Sequence, residues 1–89
     1  MKAFVAKRYD VVWETSNFNS DEMENFIDDL NSNEMEDVVD GNGEWYEFEK
    51  SGLKTVLEND NFSDKSKMIA TYFLKVADEA NSFVRVEMA

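Results

Sequence analysis

The chain has 89 residues, a hydrophobic content of 43%, a formal net charge of -11, and no Cys, His or Pro. That apolar fraction is too high for a disordered acidic tail and suits one α+β domain with one small core over residues 1–89. Without Cys there are no disulfides, thiolate metal sites or thiol nucleophiles, as suits a reducing compartment. Without His the commonest general acid/base and transition-metal ligand are missing, so neither an enzyme nor a cofactor is expected.

No apolar run approaches the roughly 18 residues of a membrane span, and the first residues lack the apolar segment and cleavage site of a signal peptide. A cytoplasmic protein without membrane contact is expected.

The charge is concentrated. Asp21, Glu22, Glu24, Asp28, Asp29, Glu34, Glu36, Asp37, Asp40, Glu44, Glu47 and Glu49 place 12 of the 20 acids in 29 consecutive residues that contain none of the 9 bases. The other 60 residues carry 8 acids against those 9 bases. A single-sign field of this kind repels nucleic acid and attracts basic surfaces.

Residues 3–14 alternate with a period of two and predict one long strand with Val5, Tyr9, Val11 and Trp13 inward. Lys7 interrupts that face, so a bulge is expected near Lys7 and Arg8. Thr15-Ser16-Asn17 reads as a polar break. Asn19 as N-cap with Glu22 three residues on makes a capping box, and Phe18 with Met23 a hydrophobic staple. Met23, Phe26, Ile27 and Leu30 then form the inward stripe of a helix, with Asp21, Glu24, Asp28 and Asp29 outward. Asp28 and Asp29 oppose the helix dipole at the C-terminal end, so they need another reason to be there.

Asn31-Ser32-Asn33 ends that helix, and Met35–Val39 reads as a strand. Asp40-Gly41-Asn42-Gly43 is the strongest turn signal, followed by a strand from Glu44 to Lys50 with Tyr46 and Phe48 on one face and Trp45, Glu47 and Glu49 on the other. Ser51-Gly52 breaks this strand, and Leu53, Val56 and Leu57 make a short amphipathic turn. Ser63 caps a long helix with Met68, Ile69, Tyr72, Phe73 and Val76 inward; Leu74 lies off the stripe, against the short helix or another subunit. Val84, Val86 and Met88 face inward on a last strand. The resulting βαββαβ order predicts a ferredoxin-like, four-stranded antiparallel sheet with two long helices on one face and a short extra helix.

Three chemistries are weighed against plain structure. The turn places Asp40-Gly41-Asn42-Gly43 and Glu49 at EF-hand positions, but Val38 stands where the first ligand must be an Asp, so a hairpin is expected and no metal site. Paired carboxylates for general acid/base work lie among other acids on exposed faces, with no phosphate loop nearby. Basic-aromatic interleaving, which direct nucleic-acid binding needs, is absent between Asp21 and Glu49.

The acids remain. Glu47 and Glu49 would stand about 6.6 Å apart on one strand face. Pairs such as Glu24/Asp28 would stand about 5–6 Å apart on the helix, on the scale of nucleic-acid phosphates. In size and acidity, though in no motif, the chain resembles phage DNA-mimic proteins that block restriction enzymes, CRISPR effectors or nucleoid proteins. The resemblance implies an inhibitor acting in the host cytoplasm on a basic protein, a nucleic-acid-binding protein or nuclease. The expected partner surface is the 12 acids of residues 21–49 with Trp45 as its aromatic anchor. An immunity or antitoxin-type protein against one basic enzyme, and an assembly module, are the alternatives. Monomer and homodimer both remain open.

Overall fold

The computed structural model describes residues 1–8 and 12–89, with Arg8 and Val12 described as backbone only. Five strands are present among them: β1 (Lys2–Arg8), β2 (Val12–Asn19), β3 (Val39–Gly41), β4 (Trp45–Glu49) and β5 (Phe83–Met88). Three α-helices accompany them, α1 (Ser20–Ser32), α2 (Lys50–Glu58) and α3 (Asp64–Val76), with a 3-10 turn at Glu36–Val38. All strand neighbours are antiparallel, in the order β2-β1-β5-β4-β3.

The α+β class and the antiparallel sheet are as expected, but the strand count and order differ from the βαββαβ arrangement. The stretch read as one strand over residues 3–14 is two, β1 and β2, paired with each other. Alternation continues through both, and Tyr9-Asp10-Val11 between them contains no Gly or Pro to mark a break. The inward positions expected of Tyr9 and Val11 lie outside the described residues. The bulge expected at Lys7 and Arg8 corresponds to a register shift between Ala6 and Arg8. Thr15-Ser16-Asn17 lies inside β2 because Ser16, only 1% exposed, satisfies its hydroxyl locally by accepting the Phe18 N–H at 3.1 Å.

All three helices lie on one face of the sheet. That face contributes Ala3, Val5, Phe18, Tyr46, Phe48, Val84, Val86 and Met88 to one core with Met23, Phe26, Leu30, Leu53, Val56, Ile69 and Phe73. Phe48 is the centre of the aromatic packing, its ring 5.5 Å from Phe26 and 5.3 Å from Phe73. On α3 the buried stripe is Ser66, Ile69, Ala70 and Phe73, while Met68, expected inward, is 57% exposed. The small Ala70 and Ala77 are the buried residues here because α2 packs alongside α3, which rotates the stripe away from Met68. Leu74 is partly buried against the same core.

Two further readings change. Met35–Val39 is mostly the 3-10 turn, leaving β3 only three residues. Gly52 does not break a strand: it is buried in the first turns of α2, where an added Cβ would stand 2.4 Å from a Val38 methyl. The glycine lets α2 rest directly on the turn.

Candidate functional site

The acidic stretch begins on a firmly capped helix. The Asn19 side chain accepts the Glu22 N–H at 3.0 Å, and the Glu22 carboxylate accepts the Asn19 N–H at 3.1 Å, closing the expected capping box. Glu22 also pairs with Lys65 of α3, whose ammonium lies 5.3 Å over the Phe18 ring. The bond to Lys65, and then that to the Asn19 N–H, hold its carboxyl below the usual carboxylate range. Glu22 is thereby committed inside the molecule.

Asp29 is committed too. Its Oδ2 accepts from the Ser63 hydroxyl at 3.0 Å and from the Ser66 hydroxyl, while Ser63 itself caps α3 by accepting the Ser66 N–H at 3.1 Å. A carboxylate unfavourable at the end of its own helix therefore sits at the start of another, where the dipole favours it. Sequence reading missed this link because its partners are 34 and 37 residues away. The Ser63–Ser66 spacing was its only trace.

Asp21, Glu24 and Asp28 remain exposed along the outer side of α1. At ~1.5 Å rise per residue they span about 10 Å of helix axis. Burial first, and then the nearby Glu24 carboxylate, push the Tyr46 hydroxyl above its ordinary pKa. Tyr46 is paired across the ladder with Gly41, so Glu24 ties the helix row to the β3–β4 hairpin. At the hairpin tip Asn42 Oδ1 accepts the N–H groups of Glu44 at 2.9 Å and Trp45 at 3.3 Å, and Gly43 takes a φ of 93°. Glu34, at a left-handed φ of 59°, and Glu36, Asp37, Asp40 and Glu44 are exposed along the path from helix to tip. Among the described residues, none of Asp21, Glu24, Asp28, Glu34, Glu36, Asp37, Asp40 and Glu44 has an ion-pair or side-chain hydrogen-bond partner.

Trp45, Glu47 and Glu49 do not join this row. They alternate with the core-facing Tyr46 and Phe48, so they lie on the sheet face away from the helices. Trp45 is half-buried, with the Arg85 guanidinium 4.5 Å from its ring, and Arg85 also reaches Glu47 and Glu87 at 3.4 Å each. A two-layer domain requires this split, because the outer side of a helix and the open side of the sheet point in opposite directions. The expected single surface is thus an arc over α1 and the hairpin tip, plus a separate set on the sheet.

Among the described residues no group of three or more acids is placed to hold a metal ion, and Val38, at the would-be first ligand position, is buried in the core. No helix among them is long and apolar enough to cross a membrane. The chain matches no family model, no curated protein and no solved structure.

Proposed function

We propose that the chain is a non-enzymatic acidic inhibitor that presents the arc from Asp21 to Glu44 to a basic, nucleic-acid-binding site on another protein. One observation carries this reading: the arc's carboxylates have no partner among the described residues, while Lys7, Lys65, Lys67 and Arg85 are held in ion pairs elsewhere. Uncompensated like charges destabilise the compact state, and those of the arc serve no internal contact that would explain them. Glu24 and Asp28 stand about 6 Å apart along α1, close to two of the ~3.4 Å axial steps between charges on one DNA strand. A groove lined with Lys and Arg to hold phosphates meets a comparable row here. Association would be fast at low salt and slow as salt screens it.

The test is capture from a host lysate on immobilised protein, at low and high salt, with duplex DNA as competitor. A basic nucleic-acid-binding protein displaced by DNA, and lost when Asp21→Asn, Glu24→Gln and Asp28→Asn are combined, is the expected result. Capture that neither DNA nor the triple substitution disturbs would refute the proposal.

A further inference from the structure

The helices cover only one side of the sheet, and among the described residues no element covers the other. Alternation places Phe4 and Trp13 on this open side at the β1–β2 end, joined by Ala6, which is 1% exposed yet outside the main core. Across β4 and β5 the same side shows three ladder pairs: Trp45 with Glu87, Glu47 with Arg85, and Glu49 with Phe83. Phe83 is 41% exposed. Clefts open at both ends of this ladder, one at Trp45 and Glu87, the other at Glu49 and Phe83.

Two properties of this face decide what fits it. It is aromatic over most of its width, and contiguous apolar surface of this kind is left open on soluble proteins chiefly where something binds. It is also net negative, since Arg85 is one cation among Glu47, Glu49 and Glu87. A second copy would bring the same negative face against itself on two chains of net charge -11, which disfavours self-association. Nucleic acid and anionic lipid are repelled for the same reason. A cation-bearing apolar surface has the complementary pattern.

We propose that this open sheet face is a second interaction surface, a seat for a basic amphipathic helix of a partner protein. Strand residues on one face repeat about every 6.6 Å, and helix residues four apart rise about 6 Å, so Lys or Arg at i and i+4 would fall over successive carboxylates along β4. The apolar stripe of the helix would cover Phe4, Trp13 and Phe83, and one cation would enter the cleft between Trp45 and Glu87. This surface is separate from the α1 arc, and either can fail without the other.

The experiment titrates isotope-labelled full chain with a synthetic Leu/Lys amphipathic helix, with oligolysine and a Leu/Glu helix as controls, while amide and indole N–H signals are followed by NMR. Saturable shifts of the Trp13 and Trp45 indoles and of Phe83–Glu87 are expected, with oligolysine binding at least about tenfold more weakly for want of an apolar stripe. Glu87→Lys and Phe83→Ser, both at exposed positions, should each weaken the Leu/Lys helix about tenfold, whereas the Asp21, Glu24, Asp28 triple should leave its shifts on the sheet unchanged. Shifts confined to α1 and the hairpin, equal binding of oligolysine, or no effect of either variant would overturn the assignment. Concentration-dependent shifts of the same signals without peptide would overturn it in favour of a second copy.

Discussion

The two faces of the sheet come from the same strands, yet they are held by different forces. The covered face is held by burial: Phe48 is fully enclosed, with rings of Phe26 and Phe73 against it. The open face is held by Arg85, which lies over Trp45 and between Glu47 and Glu87 at partly solvated distances. Exposed ion pairs contribute little, typically about 0–1 kcal/mol, so the covered face carries the fold and the open face is at liberty to carry recognition. A residue's parity on β4 or β5 thus sets its duty.

The contrast is sharpest at a pair of phenylalanines. Phe48→Ala should destabilise by about 3–5 kcal/mol in chemical denaturation, a large part of the stability of a small domain, while Phe83→Ala on the opposite parity should stay within about 1 kcal/mol. Equal losses would mean that the open face is packed as a second core. Gly52→Ala tests the helix layer. Although Ala favours helix over Gly by about 1 kcal/mol, the new methyl meets Val38 at 2.4 and 2.5 Å, so a net loss of about 1–2 kcal/mol is expected.

The acids of α1 allow a subtler comparison between neighbours. Asp29→Ala removes the acceptor for the Ser63 and Ser66 hydroxyls, leaving Ser66, 2% exposed, with one contact fewer, and should reduce stability by about 1–2 kcal/mol. Asp28→Ala, one residue earlier and exposed, should change it by no more than about 0.5 kcal/mol while slowing association with a basic partner. A thermal melt of each variant at moderate salt decides the matter. The smallest effect concerns Glu22. Its folded-state pKa is lowered by Lys65 and the Asn19 N–H, so the stabilisation is present above the unfolded value of about 4.3 and is lost as pH falls through the folded one. In Glu22→Gln the decline of stability below about pH 4.3 should be shallower than in the parent chain.

Much of the fold was legible where the signal is local. The capping box at Asn19, the hairpin at Asn42-Gly43, the cap at Ser63 and the inward set Val84, Val86 and Met88 each rest on residues within a few positions of one another. Illegible were the relations fixed by packing. The separation of β1 from β2 has no breaker residue to announce it, the α3 stripe is rotated by α2 beside it, and Gly52 is small because of Val38 in another element. The candidate site divides in the same way. Exposure of Asp21, Glu24 and Asp28 followed from helical spacing, but that Glu22 and Asp29 are held internally, and that Trp45 faces away from the arc, depended on contacts across the fold.

The place of β5 bears on how the molecule assembles. It is the last strand in sequence, yet it lies between β1 and β4, joining the β1–β2 hairpin to the β3–β4 hairpin. Both hairpins are made during synthesis before the strand that unites them, so neither has a neighbour on its inner edge until Phe83–Met88 has been added. Closing the sheet demands contacts across almost the whole chain, from Ala3 to Met88, which favours slow, single-step folding. Until then two strand edges stand unpaired, and the repulsion among the arc's carboxylates discourages partly made chains from pairing those edges with one another.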